Sequence, residues 1–166
     1  MDIQTPSSAP SSCSEHQWKY QVFLSFRGET RNTFTSHLCN ALRNKFIYTF
    51  KDDERLEIGT PIKEELLHAI EKSRMAVIII SKEYASSTWC LEELVKILEC
   101  KKDREMKVLP IFCHVEPSDV RHQGSTFRDA FAKHEQNLVN EDKLQTWKNA
   151  LKEVSNHVGR SLKINE

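Results

Sequence analysis

The stretch Met75-Ala-Val-Ile-Ile-Ile80 decides the fold, because it places six apolar residues in a row between Arg74 and Ser81. A strand buried on both faces has such a continuous apolar run, and this is typical of a parallel sheet covered by helices on both sides. Six residues cannot cross a bilayer, which takes roughly 20. The run therefore predicts an inner strand of a soluble α/β domain.

Strands and helices alternate outward from this run. Tyr20–Phe26, Phe46–Phe50 and Val108–Cys113 predict further strands, although Pro110 cannot donate a ladder hydrogen bond. Ser161–Ile164 is a weak fifth candidate. Apolar residues at helical spacing predict the helices, which carry Phe34 to Leu42, Ile62 to Ile70, Leu91 to Leu98, Phe127 to Phe131 and Leu144 to Val158. The order βαβ predicts a parallel, doubly wound sheet.

Local sequence signals predict where two helices begin and where one irregular stretch lies. The hydroxyls of Ser86-Ser87-Thr88 can accept hydrogen bonds from the first amides of the third helix, and Pro61 suits the first turn of the second. Pro117 and Gly124 frame a stretch that we expect to be irregular. In a doubly wound sheet, ligands bind beyond the carboxyl ends of the strands, so a site is expected in the loops that follow them.

Composition limits the function. The chain has 166 residues, with 24 Lys plus Arg and 24 Asp plus Glu, so no net charge holds it on nucleic acid or an acidic membrane. Its four glycines are too far apart for a G-x-G-x-x-G turn or a Walker phosphate loop. Any nucleotide must therefore be held in another way.

The termini and cysteines indicate a cytosolic domain. Residues 1–18 are polar and lack the apolar run of a signal peptide, so they predict a disordered leader before a domain at 19–160 and a linker or tail at 161–166. The five cysteines are an odd number without C-x-x-C spacing, which favours reduced thiols.

The sharpest anomaly lies on the third predicted helix. At about 100° per residue, Leu91, Leu94, Val95 and Leu98 form one apolar stripe, and Trp89 and Glu93 lie roughly opposite it. Two interpretations are open. Trp89 packs on a neighbouring loop beside a solvated Glu93, or the two residues form an aromatic wall beside a catalytic carboxylate.

Other candidate sites have weaker support. Asp52-Asp53-Glu54 could ligate a cation, but no second acidic set converges on it, and a solvated turn is favoured. Cys113 and His114 are adjacent in a strand and should point to opposite faces. The seven histidines include no H-x-x-x-H pair, so no zinc motif is present. Ser36-His37 lacks a local acidic partner for a triad. We expect no metal site.

Six ordered strings together resemble a plant Toll/interleukin receptor (TIR) domain of the type found in intracellular immune receptors. They are Phe23-Leu-Ser-Phe-Arg-Gly28, the Asp52-Asp53 loop, Ala69-Ile-Glu-Lys-Ser73, Trp89-Cys-Leu-Glu-Glu-Leu94, Leu109-Pro-Ile-Phe112 and Val115-Glu-Pro-Ser-Asp-Val-Arg121. The family carries a proline in its fourth strand, as this chain does at Pro110. The resemblance implies a flavodoxin-like three-layer α/β sandwich, with helices around a central parallel sheet of four to five strands.

The resemblance also implies an activity. Many plant members hydrolyse NAD⁺ between nicotinamide and ribose, with ADP-ribose or cyclic ADP-ribose as products, so NAD⁺ or NADP⁺ is a substrate and no prosthetic group is expected. The family's catalytic glutamate corresponds to Glu93, and Trp89 flanks the nicotinamide end. The rest of the implied NAD⁺ pocket is Arg27, Gly28, Glu29, Thr30, Arg31 and Gly59.

Partners and compartment follow from the same resemblance. Family members associate with themselves and with other TIR domains through the first and last helices, where Ser36-His37 matches a characteristic pair, and through the last two helical segments. A role in plant immune signalling and cell death, in the cytoplasm and also the nucleus, is implied.

Two departures from the family pattern leave a rival function open. The loop Arg27-Gly-Glu-Thr-Arg31 lacks the acidic residue that usually precedes its Thr, and Ile58 replaces an Arg before Gly59. A shortened loop would displace the groups that it aims at the pocket, so a non-catalytic interaction module is the alternative. A phosphoryl-accepting receiver domain would need an aspartate where this chain has Ser81.

Overall fold

The computed structural model describes residues 18–27, 35–45, 49–50, 64–157 and 160–162. Five parallel strands form one sheet in the order β2-β1-β3-β4-β5, with β1 at Tyr20–Phe26, β2 at Thr49–Phe50, β3 at Ser73–Ile80, β4 at Lys107–Cys113 and β5 at Arg160–Leu162. Since β1 pairs with β2 on one side and β3 on the other, the winding direction reverses at β1. The predicted doubly wound parallel sheet is confirmed, and the weak fifth strand exists.

Helices cover both faces of this sheet unequally. They are α1 at Ser36–Asn44, α2 at Glu64–Glu71, α3 at Thr88–Arg104, α4 at Pro117–His122, α5 at Thr126–Gln136 and α6 at Glu141–Ser155, with a 3₁₀ turn at Tyr84–Ser86 before α3. Apolar side chains of α2, α3, α5 and α6 pack in one cluster on one face. A smaller cluster on the other face is joined by Leu38 and Cys39 of α1. The three-layer sandwich is therefore confirmed.

Successive residues of the apolar run in β3 pack alternately on the two faces of the sheet. Ala76, Ile78 and Ile80 belong to the cluster under α2, α3, α5 and α6, whereas Val77 and Ile79 belong to the cluster beside α1. Ile78, Ile79 and Ile80 are fully buried. Burying each of these side chains contributes roughly 1.5–3 kcal/mol of transfer free energy. An inner parallel strand thus needs apolar residues at every position.

Pro110 is accommodated by the staggered pairing of β4. It pairs with Ile78 of β3, and the described pairing with β5 begins one residue later, at Ile111 opposite Arg160. Among the described residues, Pro110 therefore has a partner on the β3 side of β4.

Two local predictions were wrong. The stretch between Pro117 and Gly124 contains helix α4, which starts with Pro117 at its first turn and ends at Gln123 in the left-handed conformation (φ 50°). Ala41 of α1 is exposed although its spacing placed it on the apolar face. Phe34, Pro61, Ile62, Val158 and Ile164 lie outside the described residues.

Candidate active site

The reversal of winding between β1 and β3 marks the expected site. β1 ends at Phe26 and β3 ends at Ile80, and both carboxyl ends lie at the same edge of the sheet. From there the chain runs through the buried Ser81 and the 3₁₀ turn Tyr84–Ser86 into α3. The first turns of α3 therefore stand over the edge where doubly wound proteins bind ligands.

Ser87 starts α3 as its N-cap. Its backbone is extended (φ −96°, ψ 116°), and its side-chain oxygen accepts a hydrogen bond from the Cys90 amide at 3.2 Å. Its carbonyl accepts from the Leu91 amide, also at 3.2 Å. This satisfies donors that a helix start otherwise leaves without partners. The predicted capping by this Ser/Thr cluster is confirmed for Ser87.

The Tyr84 hydroxyl joins the start of α3 to β1. It lies 3.0 Å from the Cys90 carbonyl and 2.7 Å from Ser25 Oγ, and all three residues are fully buried. A carbonyl only accepts, so the single phenolic proton goes to Cys90 and the Ser25 hydroxyl donates to Tyr84. The Cys90 thiol in turn donates to the Phe26 carbonyl at 3.3 Å. These hydrogen bonds join the start of α3 to the carboxyl end of β1, the two elements that flank the candidate site.

Trp89 and Glu93 are both buried on this part of α3. Trp89 is 2% exposed and Glu93 is 0% exposed, so the expectation of a solvated glutamate was wrong. The buried side of α3 is centred on Cys90, Leu94 and Ile97, which are all fully buried. The two residues therefore lie at an edge of the buried side rather than opposite it.

The two neighbouring glutamates of α3 have different surroundings. Glu92 is partly exposed and its Oε1 lies 2.8 Å from Lys143 Nζ of α6. Glu93, one residue later, turns inward. Burying a carboxyl group costs free energy that an apolar residue would not incur, so packing alone does not explain a glutamate at this position.

Only part of the remaining predicted pocket is described. Arg27 is half-buried directly after β1. It follows Phe26, whose carbonyl accepts the hydrogen bond from the Cys90 thiol. The predicted pocket residues Gly28, Glu29, Thr30, Arg31 and Gly59 lie outside the described residues. The structure thus brings Trp89, Glu93 and the carboxyl end of β1 to one edge of the sheet.

The predicted self-association pair lies in the first turn of α1, the helix that follows β1. Ser36 is half-buried and His37 is exposed in the first turn of α1. Since α1 and α6 lie on opposite faces of the sheet, contacts through the first helix and contacts through α6 would use two separate surfaces.

The weaker site candidates gain no support. Cys113 is buried at the end of β4, whereas His114 leaves the strand in a left-handed conformation (φ 58°) with its side chain exposed. Asp52, Asp53 and Glu54 lie outside the described residues. Within the described part of the chain, no three His, Cys, Asp or Glu side chains are grouped to hold a metal, and the four cysteines there form no disulfide.

Three polar residues of the site region were missed by the sequence reasoning. Tyr84 and Ser25 form the buried hydroxyl bridge, and His134 of α5 contacts the 3₁₀ turn through its Nε2, 2.7 Å from the Ala85 carbonyl. The sequence did offer one sign of Tyr84, which is the single aromatic residue in the loop Ser81–Thr88. Ser25 and His134 stand within strand and helix patterns that hide them.

A groove of about 700 Å³ lies elsewhere on the molecule. The C-terminal half of α3 and the outer side of α6 line it, with Leu98, Met106 and Ala150 at its apolar part. It therefore belongs to the end of α3 far from Glu93. Among the described residues, the helices include none that is long and apolar enough to cross a membrane.

The fold and site define a flavodoxin-like α/β domain whose candidate site lies at the topological switch point. More specifically, the model of the TIR domain family matches residues 19–165, and the chain belongs to that family. It is 51% identical over 151 residues to TMV resistance protein N of Nicotiana glutinosa, and 55% identical over 141 residues to disease resistance protein RPV1 of Vitis rotundifolia.

These alignments cover most of this chain and little of the relatives. They include 90% of the chain against protein N and 84% against RPV1, but only 13% and 10% of the relatives' own lengths. Among solved structures, the chain is similar to the TIR domains of the activated Roq1 resistosome that directly recognises the pathogen effector XopQ. That match has a TM-score of 0.77 and 54% identity, and covers 86% of this chain and 87% of that one.

Proposed function

We propose that this TIR domain is an NAD⁺ hydrolase of plant immune signalling, with Glu93 as its catalytic carboxylate. The observation that carries the proposal is the fully buried Glu93 one turn after the buried Trp89, at the switch point of the sheet. Trp89 belongs to neither cluster of packed apolar side chains among the described residues. Core packing does not explain why Trp89 and Glu93 occupy these buried positions, whereas a role in substrate binding and catalysis does.

One carboxylate is enough for this reaction. Ordinary glycosidases use a second carboxyl group to protonate a poor leaving group. In NAD⁺ the nicotinamide ring is cationic and leaves as a neutral molecule, so no general acid is needed. Cleavage leaves an oxocarbenium-like ribose, which Glu93 stabilises by its charge or by holding the ribose hydroxyls. Water then completes hydrolysis to ADP-ribose, or the adenine end closes the ring of cyclic ADP-ribose.

The other pocket residues bind and orient the substrate. Trp89 offers a flat aromatic face at the nicotinamide end. Arg27 and Arg31 balance the charge of the diphosphate, a role for which a bidentate guanidinium is suited. Such binding needs no glycine-rich phosphate loop. NADP⁺ fits the same scheme as a second substrate.

Self-association activates the domain in this proposal. The chain is similar to the TIR domains of the activated Roq1 resistosome, and this similarity supports contacts between copies of this chain and with other TIR domains. Ser36 and His37 contribute on α1. We place the protein in the cytoplasm, with the nucleus as a second compartment, and in the signalling that leads to cell death.

Nicotinamide release by concentrated purified protein tests the proposal. The isosteric change Glu93→Gln should lower kcat at least about 100-fold, the range found when an electrostatic group that acts in the transition state is removed. Glu92→Gln is the matched control, because it changes the neighbouring, partly exposed carboxylate and should leave kcat within about twofold. The rate per molecule should also rise with protein concentration.

The same measurement separates the rival interaction module, which the shortened loop and Ile58 favour. Equal turnover by the wild type and Glu93→Gln overturns the hydrolase. A folded wild type that consumes no NAD⁺ at any concentration, yet self-associates in sedimentation, would instead establish the non-catalytic module.

A further inference from the structure

The 3₁₀ turn Tyr84–Ser86 contacts helix α5 as well as β1 and α3. His134 of α5 is 3% exposed, and its Nε2 lies 2.7 Å from the carbonyl oxygen of the fully buried Ala85. Because a carbonyl can only accept, Nε2 carries the proton and donates this hydrogen bond. The donor is therefore a side chain from a helix that starts 40 residues after the turn ends in the sequence.

Two aromatic rings fix the direction in which His134 donates. Its ring meets Phe131 edge-on at a centroid distance of 5.9 Å and Trp147 of α6 at 5.2 Å, with interplanar angles of 72° and 63°. Such T-shaped contacts are favourable and restrict rotation of the imidazole. The Nε2–H group is thus aimed at Ala85 by packing from α5 and α6.

The turn that His134 holds is continuous with the active-site end of α3. Ala85 lies between Tyr84, whose hydroxyl bonds to Cys90 of α3, and Ser87, whose side chain caps α3. The Ser87 amide donates back to the Tyr84 carbonyl at 3.2 Å. A shift of Ala85 therefore moves both groups that set the first turn of α3, where Trp89 lies one turn before Glu93.

We propose that His134 is a positioning residue of the active site, which holds the 3₁₀ turn so that Trp89 and Glu93 face the substrate. The inference rests on the proposed function for its effect on catalysis. A histidine suits this task because Ala85 is buried and its carbonyl needs a protein donor. An apolar residue at 134 would fill the space without holding the turn.

The decisive comparison is His134→Gln against His134→Asn. The Gln amide reaches the position of Nε2 and can still donate to Ala85, whereas Asn is one methylene shorter and cannot. We expect kcat for nicotinamide release to fall about tenfold in His134→Asn, because a misplaced Glu93 stabilises the transition state less, and to stay within about threefold in His134→Gln. KM should change less than kcat, because alignment of Glu93 matters most in the transition state.

Val154→Ala of α6 is the packing control. It removes buried volume from the same apolar cluster two turns after Trp147 and lowers the melting temperature, but leaves both rings that contact His134, so kcat should remain within about twofold. Equal loss of kcat in His134→Gln and His134→Asn would overturn the proposal. So would an unfolded His134→Asn chain, since the residue would then act on stability alone.

A second readout does not depend on turnover. The chain has three tryptophans, so 5-fluorotryptophan labelling gives three ¹⁹F resonances, and Trp89→Phe assigns the one at the site. The Trp89 resonance should shift or broaden in His134→Asn and keep its wild-type position in His134→Gln. An unchanged Trp89 resonance in His134→Asn overturns the positioning role. If the wild type shows no Glu93-dependent turnover, the proposed function fails while this resonance still decides the role of His134.

Discussion

The two ends of α3 are held by different kinds of interaction. At the N-terminal end, the Ser87 cap, the Tyr84 hydroxyl and the Cys90 thiol all form hydrogen bonds with buried partners. At the middle of α3, Lys96 Nζ lies 2.7 Å from Glu71 Oε1 of α2, and the two side chains are 25% and 40% exposed. At the C-terminal end, the Arg104 guanidinium donates to the Glu71 and Ile70 carbonyls that end α2, the latter at 3.5 Å.

This difference shows which end of α3 is built for precise placement. Water competes with partly exposed pairs, so each of them adds little stability. A buried polar group that loses its partner costs its full desolvation free energy. The end that carries Trp89 and Glu93 therefore has one low-energy arrangement, and the far end tolerates changes.

The largest effect on stability is expected for Tyr84→Phe. The change removes one hydroxyl and leaves the buried Cys90 carbonyl and Ser25 hydroxyl without it, while the ring still fills its space. The free energy of unfolding should fall by about 2–3 kcal/mol. Urea denaturation followed by circular dichroism measures this value.

A double-mutant cycle with Ser25→Ala separates the hydroxyl bridge from other effects of Tyr84→Phe. Residues that share a buried hydrogen bond couple by about 0.5–3 kcal/mol, so the double variant should lose less stability than the sum of the singles. Additive losses would contradict the bridge between β1 and α3.

Much of the fold could be predicted because its signals are local. The apolar run at Met75–Ile80 indicates an inner strand whatever surrounds it, and the Ser cluster before α3 indicates a helix start. The fourth strand was also predicted despite Pro110 and lies within β4. Helix α4 was missed because Pro117 and Gly124 are turn signals as well as helix-boundary signals.

The candidate site was predicted less completely than the fold. Helical spacing singled out Trp89 and Glu93, but it could not reveal that both are buried, because burial depends on contacts with elements that are distant in the sequence. Tyr84 and Ser25 are 59 residues apart, and His134 is 49 residues from Ala85. Only the doubly wound topology brings such residues together.

A smaller effect is expected for Ser87→Ala, which removes one helix cap. The Cys90 amide loses its side-chain acceptor, so the free energy of unfolding should fall by about 1 kcal/mol. Ser86→Ala is the control, because the Ser86 hydroxyl donates to Glu83 Oε2 in an exposed bond at 3.0 Å and should matter by less than about 0.5 kcal/mol. Equal losses of unfolding free energy in the two variants would show that the buried cap stabilises the fold no more than the exposed hydrogen bond does.

The smallest effect is expected for Lys96→Met, at the middle of α3 on the side that faces α2. The hydrogen bond between Lys96 and Glu71 lowers the pKa of Glu71 below its usual 4.5 and raises the pKa of Lys96 above its usual 10.5. As a partly exposed pair, it should contribute about 0.5 kcal/mol to the free energy of unfolding at pH 7.

The pH dependence of that difference gives a sharper test, because the folded chain binds the Glu71 proton less tightly than the unfolded chain does. The stabilisation is therefore complete above pH 4.5 and is lost as the pH falls through the lowered pKa of the folded state. For Lys96 the sign is opposite, so its contribution is complete below pH 10.5 and is lost as the pH rises through the raised pKa.

Wild type and Lys96→Met should thus differ in free energy of unfolding at pH 7 and converge in strong acid. Lys102→Met, at an exposed lysine of the same helix, is the control. A difference that persists unchanged in acid would mean that Lys96 stabilises α3 by packing its stem, and the contact between α3 and α2 would then resemble the buried start of α3 more than the exposures suggest.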